Sequence, residues 1–179
     1  MTDNDLGNSG YGVPGAPAPL LAAVATVNQT LGEAADLDPM YLSVGEKQQV
    51  LRDLYEAEAR LAGLRLQVLA VSGDIAAEIG AKDVSAWCAT ELRVGCGEAR
   101  ADVRLATALD TRWHLVAAAV GDGSVSLAQA RVIVRVLDEL PDGLASELLA
   151  RAEKDLVGYA GQFGPTQLAR LGRGILEHL

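Results

Sequence analysis

Between Val50 and Ile75 apolar residues recur at alternating fourth and third positions: Val50, Leu54, Ala57, Leu61, Leu64, Val68, Val71 and Ile75. Only a helix brings residues so spaced onto one side, and a stripe sustained this long is the pattern of one helix packed along another. Ser43 and Glu46 precede the run in the S-x-x-E arrangement that caps a helix start. The spacing therefore predicts one long helix from Ser43 to about Gly80, ending there because glycine favours a helix terminus. Its stripe requires a partner, either within the chain or in a second copy. Pairing within the chain is the preferred expectation, since many globular bundles carry the same pattern.

The rest of the sequence repeats the helical theme. A helix is predicted at about 20–32, with Leu20, Leu21, Val24, Val27 and Leu31 on one side. Asp83 is a suitable N-cap for a helix with Val84, Trp87, Cys88 and Leu92 on one face. A second follows at about 97–110, with Ala99, Val103, Ala106 and Leu109 inward. "RWHLVAAAV" gives another, stopped by "GDG". Ser126 and Gln129 repeat the capping pattern before Leu127, Ala130, Val134 and Leu137. Pro141 ends that helix. Two more are read at 144–162 and 165–178, parted by Gly164-Pro165. No stretch alternates like a strand. The expected fold is all-α: a multi-helix bundle with one long heptad-patterned helix and a helix-turn-helix-like pair. Residues 1–19, rich in Gly, Pro, Asn and Asp, read as a disordered leader. Residues 20–179 read as a single domain.

Charge bears on function. The chain's net charge is −9. Residues 1–39 hold five acids and neither Lys nor Arg, whereas Arg93 to Arg135 contains six Arg against four acids. Phosphate neutralisation supplies most non-specific nucleic-acid affinity, so an acidic chain is an unpromising binder unless its arginines gather on one surface. The two cysteines, Cys88 and Cys96, are expected to be reduced. With only two histidines, a zinc site is not expected. "LLAAVATV" has no preceding positive region and no run is long enough to span a bilayer, so a cytoplasmic location is expected.

No catalytic constellation stands out. "GVPGAPAP" lacks the Lys of a phosphate-binding loop, and no nucleophile elbow is present. The carboxylate pairs Glu56/Glu58, Glu98/Asp102 and Asp138/Glu139 are expected on solvated helix faces, where nothing perturbs them. The strongest functional candidate is "DVSAWCATELRVGCGEARADVRLATAL", residues 83–109, two helices joined by a short turn. Arg93 lies in the turn, and Arg100 and Arg104 are four apart on the second helix. Against DNA contact stands an acidic stripe of Glu98 and Asp102 beside them. A weaker candidate is Arg131 and Arg135, also four apart.

Four blocks carry a resemblance: "LSVGEKQQVLRDLYEAEARLAGLRLQVLA", "GAKDVSAWCATELRVGCGEARADVRLATALDTRW", "GSVSLAQARVIVRVLDELP" and "FGPTQLARLGRGIL". Their order and spacing, over about residues 42–177, resemble the domain of unknown function 222, widespread in actinobacterial proteins. The resemblance implies a helical domain that usually precedes a C-terminal HNH endonuclease module, whose metal is held by His and Asn or His residues. Nothing here matches that module; the chain stops at "LEHL", where the resemblance implies a linker to the nuclease, so a truncated or stand-alone member is expected and His178 is assigned no nuclease role. The turn "GCG" at 95–97 departs from relatives that place hydroxyl or basic residues there. The expected function is a non-catalytic accessory domain, with no cofactor and no small-molecule substrate. It would bind or position DNA through 83–109, with Trp87 and Leu92 holding the pair together and Arg93, Arg100 and Arg104 meeting phosphates. The alternatives are a protein-interaction or dimerisation module using the stripe at 50–75, and a degenerate remnant of a mobile element.

Overall fold

The computed structural model describes residues 18–141 and 143–176; the leader read at 1–19 and His178 therefore lie almost wholly outside the described residues. The chain divides into two compact units, Met1–Lys47 and Gln48–Leu179. Every described residue in regular structure is helical. In the first unit, α1 spans Pro19–Ala34 and buries none of its residues. A 3-10 turn follows at Pro39–Tyr41, with the Asp38 carboxylate accepting from the Met40 amide. The capping pair forms as read: the Ser43 amide donates to Glu46 and the Glu46 amide to the Ser43 hydroxyl.

α2, Val44–Ala70, is shorter than expected. Ser72 turns back so that its hydroxyl donates to the Val68 carbonyl at 2.6 Å, and the Val71 amide bonds Val68 three residues back instead of four. That tightening ends the helix. A separate α3, Gly73–Ile79, takes over and stops at Gly80, whose φ of 68° glycine adopts readily. The long helix read as continuous is thus two helices.

The stripe from Val50 to Ile75 also faces the other way from the one expected. The residues α2 buries are Ala59, Ala62, Gly63 and Leu66. At about 100° per residue, these sit roughly 170° around the helix from the stripe. Val50, Leu54, Leu61, Val68 and Val71 are between 40% and 73% exposed. Only Leu64 and Ile75 are half-buried. Within the second unit, then, the pairing expected for the stripe does not form. Small residues won the inner face because they let backbones approach: a Cβ on Gly63 would lie 3.2 Å from backbone atoms of Gly121.

The second unit is centred on α7, Leu127–Asp138, whose capping box of Ser126 and Gln129 forms as read. α7 packs against α5 (Cys96–Thr111), α6 (His114–Gly121), α8 (Ser146–Ala160) and α9 (Pro165–Leu176). Val116, Val120, Ile133, Leu137, Leu156 and Leu168 are fully enclosed where these helices meet. A smaller cluster of Val84, Cys88 and Ala99 lies between α4 (Val84–Glu91) and α5, with Trp87, Val94 and Val103 packed on it. Leu69 of α2 touches both clusters and so joins the helix pair to the main core.

Candidate nucleic-acid interface

The helix pair is built from its caps inward. The Asp83 carboxylate accepts from the Ser85 hydroxyl at 2.5 Å and the Ala86 amide at 2.9 Å. These two bonds, the Ser85 one first, hold its pKa below the ordinary carboxylate value. The cap therefore supports folding at and above the ordinary carboxylate range and is lost as pH falls through the lowered value. α4 then runs for eight residues with Val84 and Cys88 buried. Burial, with the Asp102 charge nearby, raises the pKa of the Cys88 thiol. Both cysteines are free, and Cys96 is exposed. Trp87 is half-buried on the α4–α5 seam as expected. Leu92 is not: it is 54% exposed, because α4 ends at Glu91 and the chain leaves the packed face there.

The turn contains the one backbone outlier. Arg93 has φ of 56°, the only non-glycine positive φ among the described residues. A helix followed by a left-handed residue normally takes glycine there, since a Cβ costs about 1 kcal/mol or more. Arg93→Gly is expected to stabilise the protein by about 0.5–1 kcal/mol, read as a higher denaturation midpoint. Lower stability would show instead that the arginine side chain holds the turn. Gly95 is the N-cap of α5, and it offers no side-chain bond.

On α5, Arg100 and Arg104 are exposed one turn apart. Among the described residues no carboxylate pairs with Arg93, Arg100, Arg104 or Arg135. The acidic stripe expected beside them is reduced to Glu98. Asp102 is only 5% exposed and points inward. Its two oxygens receive Arg131 from α7 at 2.5 Å and Arg65 from α2 at 3.2 Å. One buried carboxylate thus ties three helices. Glu98 remains on the outside, in the first turn of α5, where the helix dipole favours it.

This arrangement divides the five arginines read from the sequence. Arg93, Arg100, Arg104 and Arg135 remain outward. Arg131 is bound to Asp102, and its Nε is buried with no hydrogen-bond partner. Arg65 and Arg131 also border a cleft of about 620 Å³ with Tyr55, Glu58, Ser126 and Pro165. Charge spacing in the sequence marks Asp102 only as a surface acid and does not single out Arg65. The signal for Asp102 was available: it falls three after Ala99 and four before Ala106, on the inward stripe of α5. A second buried acid, Glu153 of α8, accepts from the amides of Leu115 and Val116 at 2.8 and 3.1 Å, satisfying the start of α6.

Among the described residues, no group of three or more His, Cys, Asp or Glu could hold a metal ion. Nor is any described helix long and apolar enough to cross a membrane. No curated protein and no solved structure matches the chain. A family model does, over residues 48–179, the same helices that carry the Asp102 cluster and the α4–α5 pair. By that match across most of its length, the chain belongs to the family described as Domain of unknown function (DUF222).

Proposed function

We propose that this is a non-catalytic helical domain that positions nucleic acid through the outer surface of α4 and α5, in the accessory role to an HNH-type nuclease that its family resemblance implies. The observation that carries the reading is the inward turn of Asp102. Sequence alone sets that acid beside Arg100 and Arg104, where it would repel phosphate. Folded, it is neutralised by Arg65 and Arg131, and the outer face of α5 keeps its two arginines. Arg93 adds to the case, since the chain keeps a long cationic side chain where glycine would be less strained. Contacts of this kind position a duplex by its phosphates and carry no base code.

The test is binding of a labelled duplex at low salt by the intact chain and by Arg100→Glu with Arg104→Glu. The double variant is expected to lose roughly a hundredfold in affinity, as phosphate attraction becomes repulsion, while its helical circular dichroism is unchanged. Equal affinity in the two proteins would remove α5 from the interface.

A second reading, as a protein-interaction module, is favoured by a different observation: the exposed apolar face of α2.

A further inference from the structure

We propose that α3 and α4 form a flap, residues 73–92, that swings off α5 as one body while α5 to α9 stay folded. Two backbone breaks bound it. On one side Ser72 closes α2 by donating back to the Val68 carbonyl. On the other, Arg93 takes the left-handed φ of 56°. A few residues at the end of an element are enough to absorb the rotation when that element moves. Between the breaks the flap makes its own local bonds. Gly80 ends α3 with a φ of 68°. Asp83 accepts from Ser85 and Ala86 to start α4, and the Thr90 hydroxyl donates to the Ala86 carbonyl. α4 therefore keeps its starting cap when it leaves α5.

Its attachment to the rest of the second unit is what sets the flap apart. Among the described residues, no hydrogen bond or ion pair joins 73–92 to α5, α6, α7, α8 or α9. The other helices are cross-tied by polar groups. Asp102 links α5 to α2 and α7, Glu153 of α8 takes the first amides of α6, and the Gln129 amide of α7 donates to the carbonyls of Ala160 and Phe163. The flap is held by apolar packing: Val84 and Cys88 on Ala99, with Trp87 and Ala89 beside them and Leu69 of α2 at the edge. None of its residues joins the main core, whose members lie between Leu66 and Ala70 and from Leu105 onward. Opening free energy follows the buried contacts that must break, so the small cluster gives way before the main core does. Opening uncovers Cys88 and parts the two helices that carry the proposed nucleic-acid surface. That consequence rests on the proposed function; the flap itself does not.

Cys88 is only 5% exposed, so a thiol reagent reaches it only through opening. The experiment is labelling of the intact chain carrying Cys96→Ser with excess dithionitrobenzoate, without nucleic acid. Labelling is expected to run roughly tenfold or more faster than the global unfolding constant of the same protein allows. It should change little in low urea, because a flap exposes little surface. Two further variants separate the flap from the body. Val84→Ala trims the small cluster and should speed labelling roughly tenfold. Ile133→Val lies in the main core, which stays folded in the open state, so it should raise the global unfolding constant severalfold and leave labelling unchanged. Helical amides of α3 and α4 should exchange their hydrogens through one common opening constant. Labelling only at the rate that global unfolding allows, or labelling that rises with Ile133→Val as global unfolding does, overturns the flap. Labelling as fast as that of the unfolded chain would mean that the cluster does not form, and overturns it equally. Separate opening constants for α3 and α4 overturn the single body. Because no nucleic acid enters the assay, failure here leaves the α4–α5 reading standing, and failure of duplex binding leaves the flap standing.

Discussion

Trp113→Ala should lower the free energy of unfolding by about 3–5 kcal/mol, the range for removing a large aromatic from a packed core. Trp113 sits where α5 gives way to α6 and is only 4% exposed. Its indole Nε1 donates to the Asp138 carboxylate at 3.0 Å, and the Arg112 guanidinium lies 4.8 Å from the ring centre. Arg112 also pairs with Asp138 at 3.2 Å, so alanine would remove the core volume and one bond of a three-member network at once. A loss of this size is a large share of the roughly 5–15 kcal/mol that stabilises a typical domain. Urea unfolding followed by circular dichroism measures it. A shift worth less than about 1 kcal/mol would mean that the ring is not part of the core.

Asp102→Ala is expected to cost about 2 kcal/mol. Removing one partner from a buried ion pair usually costs about 3–5 kcal/mol, because the remaining charge is stranded. Here the stranded groups are Arg65 and Arg131, whose side chains are 48% and 39% exposed, so water can take up part of the loss. The cost is smaller than for a closed site, but three helices lose their common tie. Asp102→Ala with Arg131→Leu should be less destabilised than the two single variants summed, since the second change removes a charge that the first leaves unpaired. Strict additivity would mean that the two groups do not act together.

The helices themselves were largely legible in the sequence, because caps and periodicity are local signals. Ser43 with Glu46, Asp83, and Ser126 with Gln129 all form the capping bonds that their spacing implies. What local patterns could not give was the direction in which α2 faces. Its large apolar residues make the louder stripe, yet the core takes the quieter one of Ala59, Ala62, Gly63 and Leu66, because close approach to the Gly121 backbone requires small side chains. The break after Ala70 depends on a serine bonding back along its own helix, which apolar spacing does not register. At the candidate site, the arginines were visible but their partners were not. Asp102 and Arg65 are 37 positions apart and meet only after α2 and α5 are in place. Charge counting along the chain therefore treated Asp102 as a surface acid, and folding turned it into the neutralised tie beneath Arg100 and Arg104.

The most direct measurement on that account is the salt dependence of duplex binding by the intact chain, followed by fluorescence anisotropy of a labelled duplex. Arg93, Arg100 and Arg104 meeting phosphates predicts a linear fall of the logarithm of the binding constant with the logarithm of salt concentration. With three phosphates neutralised, the slope should be about −2.7. No binding at the lowest salt, or binding with a slope near zero, would contradict a phosphate-contacting face on α4 and α5.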